Sequence, residues 1–135
     1  MVFELSDLER IRRGGIKQVG QVPDAVVKAA GWRLPYVYVG PESLRHILDK
    51  HIDISEFDLL NIPIAIRDGL IVQETKKQNV IVIIYLPSAE TGVRFACPIK
   101  PTANSTEIWV SSFYRVREKQ VRRIKERGTI LREHS

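Results

Sequence analysis

The sequence predicts an α+β fold in which N-terminal helices pack on a roughly four-stranded antiparallel sheet and a basic helix closes the chain. Helical apolar spacing and helix-capping residues dominate the first half, whereas the second half contains short β-branched and aromatic runs separated by turn residues. The length of 135 residues, with 44% hydrophobic and 27% charged residues, fits one domain. We therefore expect residues 1–135 to fold together, with a core over residues 35–115 and the basic helix over residues 116–135.

The clearest helix of the first half is predicted over residues 42–51. Its apolar side chains recur on one face, at Leu44, Ile47 and Leu48, and Pro41 suits the first turn. Ser55 and Asp58 have the spacing of a capping pair and predict a further short helix after it.

Short strands account for most of the second half. Residues 70–74 and 79–86 are apolar runs joined by a polar segment over residues 75–78, which predicts a hairpin. Because residues 80–85 are apolar at every position, that strand is expected to be central and covered on both faces. Earlier in the chain, residues 36–39 form an aromatic and β-branched run that ends at Gly40, and they predict another strand.

The positive charge of the chain is concentrated at its C-terminal end. Eight basic and three acidic residues lie from Phe113 to Ser135, so this segment carries a net charge of +5, equal to that of the whole chain. Arg122, Arg123 and Lys125 lie in its helical part. This distribution is typical of a polyanion-binding surface, although a solvated helix face would have the same composition.

Several classes of protein are disfavoured by what the sequence lacks. A single cysteine, Cys97, allows no disulfide within the chain and favours a reducing, cytoplasmic location. The longest apolar run, residues 80–86, is far too short to cross a membrane, and the first residues do not have the pattern of a secretion signal. A phosphate-binding glycine loop and paired cysteines for zinc are missing, so we expect neither cofactor nor metal.

Two histidines, His46 and His51, fall on the predicted helix over residues 42–51. At about 100° per residue they are roughly 140° apart around the helix axis, so they are not spaced to chelate one metal ion. His51 lies on the apolar stripe at the C-terminal end, where the helix dipole favours a positive charge. It could be a core histidine bonded to the backbone or a positioned acid–base group, whereas His46 is expected on the surface.

Strand alternation predicts one cationic sheet face. Arg94 and Lys100 lie opposite the apolar side chains of residues 93–100, among which Cys97 is expected to be buried and inert. On the last predicted strand, the side chains opposite Ile108 and Val110 are Trp109, Ser111, Phe113 and Arg115. Cations beside exposed aromatic rings suit single-stranded RNA, unless helices cover this face and leave the charges at its rim.

The segment from Tyr36 to Arg115, about three fifths of the chain, resembles the phage-associated branch of the barnase, EndoU, colicin and RelE-like nuclease superfamily. The resemblance lies in the strand Val37-Tyr38-Val39, the helix from Leu44 to His51, the pair Ile62-Pro63, two middle strands, and the closing strand from Ile108 to Tyr114. Ser111 stands where threonine is usual in that family, and the first 35 residues fall outside the pattern.

The resemblance implies a metal-independent endoribonuclease or nuclease-fold toxin that cleaves RNA by attack of the ribose 2′-hydroxyl. It implies His51, His46, Ser111 and Tyr114 as catalytic residues. Within the resembling segment the substrate-binding cations would be Arg94, Lys100 and Arg115. The charge excess of the C-terminal segment adds Arg122, Arg123 and Lys125 as substrate-binding cations. RNA, or alternatively DNA, and a cognate immunity or antitoxin protein are the implied partners, without a membrane.

Two other functions fit the same residues. The chain could be a nucleic-acid-binding protein without catalysis, with the basic helix on phosphate backbones. It could instead be a phage structural or partner-binding protein in which that helix docks on an acidic surface.

Overall fold

The computed structural model describes residues 3–74 and 80–134. Helices and strands alternate along these residues in the order α1 (Leu5–Arg12), β1 (Lys17–Gln21), α2 (Asp24–Ala30), β2 (Tyr36–Val39), α3 (Pro41–Lys50), α4 (Glu56–Leu59), α5 (Ile62–Asp68), β3 (Leu70–Glu74), β4 (Ile81–Tyr85), β5 (Phe95–Pro101), β6 (Ile108–Val110), β7 (Tyr114–Arg115), α6 (Glu118–Arg127) and β8 (Gly128–Arg132). The predicted α+β class is confirmed. No helix among the described residues has the length and apolarity needed to cross a membrane.

The strands form one eight-stranded mixed sheet with the order β1-β2-β6-β5-β4-β3-β8, and β7 pairs with β5 beside this path. The pairs are antiparallel except for β2 and β6, which run parallel. The prediction of a roughly four-stranded antiparallel sheet was therefore wrong. The prediction did not include the edge strands β1 and β8. Their sequences are mostly polar or contain glycine, and these residues form strands because they pair with a neighbouring strand.

Both faces of the sheet are covered. Helix α3 contributes Leu44 and Ile47 to the larger core, which also contains Ile81 and Ile83 of β4. A smaller core on the opposite face joins Val82 and Ile84 of β4 to the apolar side chains of α6. The prediction that β4 is central and buried on both sides is confirmed, and β3 and β4 pair antiparallel, although residues 75–79 between them lie outside the described residues.

The basic C-terminal segment is only partly helical. The helix predicted over residues 116–135 spans Glu118–Arg127, and the chain then continues as the edge strand β8. Gly128 makes this change of direction possible, because a Cβ atom there would lie 2.7 Å from the carbonyl oxygen of Gln73. Arg132 then donates hydrogen bonds of 2.7 and 2.9 Å to the carbonyl oxygen of Gly69.

A one-residue bulge separates β6 from β7. Three residues, 111–113, lie opposite two residues of β5, 97–98. The register in which β5 pairs with β7 therefore differs by one residue from the register in which it pairs with β6. The extra residue reverses the alternation beyond Val110. Phe113, which alternation placed beside Trp109, is fully buried and stacks on Phe95 with ring centroids 4.9 Å apart.

Candidate functional site

His51 caps the C-terminal end of α3 and contacts two side chains of the bulged strand. Its backbone N–H still donates to the carbonyl of Ile47, but its dihedral angles, φ −123° and ψ 80°, take the chain out of the helix. The half-buried ring lies with Nε2 at 3.1 Å from the Ser112 hydroxyl and stacks on Tyr114 with centroids 5.1 Å apart. The ring partners of this histidine are therefore side chains, and they hold the imidazole in one orientation.

His46 lies close to His51, although the helical wheel predicted different directions for the two. Their ring centroids are 6.4 Å apart and the ring planes are nearly perpendicular, at 81°. The two rings meet because His51 is the cap residue and does not follow the helical geometry of His46. His46 is exposed, as predicted. Among residues 3–74 and 80–134, no group of three or more histidine, cysteine or acidic side chains is placed to hold a metal ion.

A cleft of about 390 Å³ opens beside the two histidines, and we call it the histidine cleft. The polar residues that line it are His46, Glu74, Lys100, Ser111, Ser112 and Tyr114, and Val82 and Pro98 contribute to the lining from β4 and β5. His51 is not one of the lining residues, but its ring contacts two of them, Ser112 and Tyr114. The sequence-predicted residues His46, His51, Lys100, Ser111 and Tyr114 are thus brought together.

The two adjacent serines have different roles. Ser111 donates both its hydroxyl and its backbone N–H to the carbonyl oxygen of Pro98, at 3.1 and 2.9 Å, and so closes the bulge. Ser112 is the residue whose hydroxyl meets His51. Sequence reasoning named Ser111 and missed Ser112, because a one-residue change of register decides which serine faces the histidine.

Tyr114 is held in its protonated form. Burial raises the pKa of its phenol, and the nearby charge of Glu74 raises it further. At neutral pH the hydroxyl therefore remains a hydrogen-bond donor at the wall of the histidine cleft. Glu74, which sequence reasoning also missed, lines the same cleft.

Comparisons of this chain with protein-family models, with curated proteins and with solved structures find no match. The assignment of a function therefore depends on the chemistry of the histidine cleft.

The remaining predicted cations lie elsewhere. Arg94 donates to the carbonyl of Gly92 at 3.0 Å, and Arg115 pairs with Asp58 at 3.4 Å, so neither guanidinium lines the histidine cleft. The sheet face that carries Lys100 is covered at Ala96, which is fully buried in the core beneath α6. Of the two alternatives for this face, the covered one holds at Ala96, where α6 folds back over the sheet, whereas Lys100 remains exposed.

The basic residues of α6 form a separate surface. The apolar side chains of this helix, Val121 and Ile124, pack on the smaller core. Its exposed cations include Arg122, Arg123 and Lys125. They lie outside the lining of the histidine cleft and form a charged surface of their own.

The histidine cleft combines the groups that metal-free phosphoryl chemistry needs. Histidine is the side chain whose charge changes nearest neutral pH, so a pair of imidazoles can accept one proton and donate another. Lys100 supplies a positive charge and Tyr114 a neutral donor at the same cleft. The two ring centroids are 6.4 Å apart; His46 lines the cleft, and His51 contacts its lining residues Ser112 and Tyr114.

Proposed function

We propose that this chain is a metal-independent endoribonuclease, of the kind found among nuclease-fold toxins. The observation that carries the proposal is the pair of imidazoles, 6.4 Å apart, beside a cleft that contains Lys100, Ser112 and Tyr114. The same function is the one that the sequence resemblance of the segment from Tyr36 to Arg115 implies.

The reaction would be an internal transesterification of RNA. One imidazole accepts the proton of the ribose 2′-hydroxyl, whose oxygen forms a bond to the adjacent phosphorus. The bond from phosphorus to the 5′-oxygen breaks, and the second imidazole protonates that leaving oxygen. The products are a 2′,3′-cyclic phosphate and a 5′-hydroxyl, so protons and bonds balance without water or a metal ion.

The neighbouring groups would position the histidines and stabilise charge. The hydrogen bond between Ser112 and His51 and the stacking of Tyr114 orient the His51 ring, which suits a group whose proton transfer depends on alignment. Lys100 and the Tyr114 hydroxyl would stabilise the negative charge that develops on the phosphoryl oxygens.

Cleavage of total RNA by the purified protein, with and without EDTA, tests the proposal. We expect cleavage that EDTA does not inhibit, products that end in a cyclic phosphate, and no cleavage of an oligonucleotide with 2′-deoxyribose at the scissile position. Inhibition of cleavage by EDTA, or equal cleavage of the deoxy substrate, would contradict the mechanism.

A second candidate function, nucleic-acid binding without catalysis, is favoured by the basic surface of α6. Arg122, Arg123 and Lys125 are exposed there. A gel-shift experiment that retained RNA intact would support this function over the ribonuclease. If RNA were neither bound nor cut, both candidates would be wrong.

A further inference from the structure

A larger cleft of about 750 Å³ adjoins the histidine cleft, and we call it the tryptophan cleft after Trp109 in its lining. The two clefts share His46, Lys100 and Ser111, so they lie next to each other on the surface. The tryptophan cleft is also lined by the first turns of α3, including Arg45. An extended molecule bound at the histidines could therefore reach the tryptophan cleft.

The Trp109 ring lies directly on the backbone where β2 leads into α3. A Cβ atom at Gly40 would be 2.9 Å from Cζ3 of the indole, so glycine at this position permits the close approach. Tyr38 packs beside the indole at a centroid distance of 5.8 Å and an angle of 44°. These contacts hold a half-buried aromatic ring at the wall of an open cleft.

Two exposed cations share this cleft with the indole. Arg45 comes from α3 and Lys100 from β5, and both line the tryptophan cleft. An aromatic surface with positive charges beside it matches an unpaired nucleotide, whose base stacks and whose phosphate is negative. An uncharged apolar ligand would not use either cation.

We propose that the tryptophan cleft binds an unpaired nucleobase, stacked on Trp109, of a nucleotide next to the phosphate in the histidine cleft. Arg45 and Lys100 bind the phosphates on either side of this base. The inference rests on the proposed ribonuclease function and specifies its substrate as single-stranded, since a base within a duplex cannot stack on a protein side chain.

Binding of a 2′-O-methyl RNA oligonucleotide tests the inference without requiring cleavage, because this probe lacks the attacking hydroxyl. The chain has two tryptophans, and Trp32 is only 6% exposed, so Trp109 is the accessible fluorophore. We expect the oligonucleotide to quench its fluorescence. Inorganic polyphosphate, which is a polyanion without bases, should bind without comparable quenching.

Variants of Trp109 give the decisive comparison. Measured by the anisotropy of a labelled oligonucleotide, Trp109→Leu should weaken binding by about 5- to 150-fold, whereas Trp109→Phe should retain most of it. Tyr36→Leu removes an exposed aromatic side chain outside the tryptophan cleft and should bind normally. Polyphosphate affinity should be the same for wild type and Trp109→Leu.

Gly40→Ala provides a variant that keeps every aromatic ring. Its new methyl group would displace the edge of the indole, so oligonucleotide binding should weaken while polyphosphate binding does not change. This result would exclude general unfolding as the cause. Equal oligonucleotide affinity of Trp109→Leu and wild type would overturn the inference, even if RNA is cleaved. Quenching and Trp109-dependent binding without cleavage would instead retain the base site and remove the ribonuclease function.

Discussion

Replacement of Phe113 by alanine tests the bulge that places Ser112 and Tyr114 against His51. Phe113 is fully buried and stacks on Phe95, an arrangement that exists only in the shifted register. Truncation of a buried phenylalanine to alanine costs about 3–5 kcal/mol. The stacked pair favours the upper part of this range, because such pairs add about 0.5–1.5 kcal/mol to simple burial.

Urea unfolding followed by far-UV circular dichroism measures this destabilisation. With a slope of about 1–3 kcal/mol/M, the midpoint should fall by about 2 M while the slope remains unchanged. Phe57→Ala is the matched control, because this side chain is 70% exposed and its removal should cost about 0.5 kcal/mol or less. A destabilisation below about 1 kcal/mol for Phe113→Ala would place the ring on the surface, as simple alternation predicted, and would refute the register.

Three further predictions concern other parts of the chain. Burial raises the pKa of Cys97 to about 12, so iodoacetamide should modify this thiol only after unfolding, as detected by mass spectrometry. Rapid modification of the native protein would contradict its burial. The pKa of Asp7 is lowered, mainly by a hydrogen bond from a backbone N–H, so its stabilising effect is present above the ordinary carboxyl pKa and disappears as pH falls through the lower folded value. Thermal melts should therefore decline less steeply below about pH 4 for Asp7→Asn than for wild type, and identical profiles would exclude this contribution. Replacement of Arg122, Arg123 and Lys125 by glutamine should reduce the salt dependence of RNA binding by about 0.7 units of slope for each phosphate that α6 no longer neutralises, whereas an unchanged slope would exclude α6 from the binding surface.

Elements with local signals in the sequence were predicted well. Helix α3 has an apolar stripe with proline at its first position, and Ser55 and Asp58 form the predicted reciprocal cap of α4. Strand β4 is apolar at every position, and it lies inside the sheet between β5 and β3, as that pattern predicts. The edge strands β1 and β8 could not be predicted in the same way, because their pairing depends on partners distant in the chain.

The site shows the same division between local and long-range information. His46, His51, Lys100 and Tyr114 were identified by residue type and approximate position, and all belong to one region of the structure. The choice of Ser111 over Ser112 failed because the bulge depends on pairing with β5, which leaves no mark in the residues 111–113 themselves.

The pairing of Arg115 was equally hidden from the sequence. Its partner Asp58 lies 57 residues away in α4, and this ion pair is formed only by the tertiary structure. Strand alternation predicted that Arg115 would lie beside the site, but its guanidinium pairs with Asp58 and does not line the histidine cleft.

The rate of RNA cleavage by His51→Ala, compared with wild type, shows whether the imidazole of His51 takes part in the reaction. A positioned acid or base contributes about 10²- to 10⁴-fold, so we expect a decrease of that size with melting temperature and binding of the 2′-O-methyl oligonucleotide retained. His46→Ala should also reduce cleavage, but by less. The His46 ring is exposed, whereas Ser112 and Tyr114 hold the His51 ring in one orientation. If His51→Ala melts and cleaves like wild type, the imidazole at the centre of the proposed mechanism has no chemical role and this mechanism is wrong.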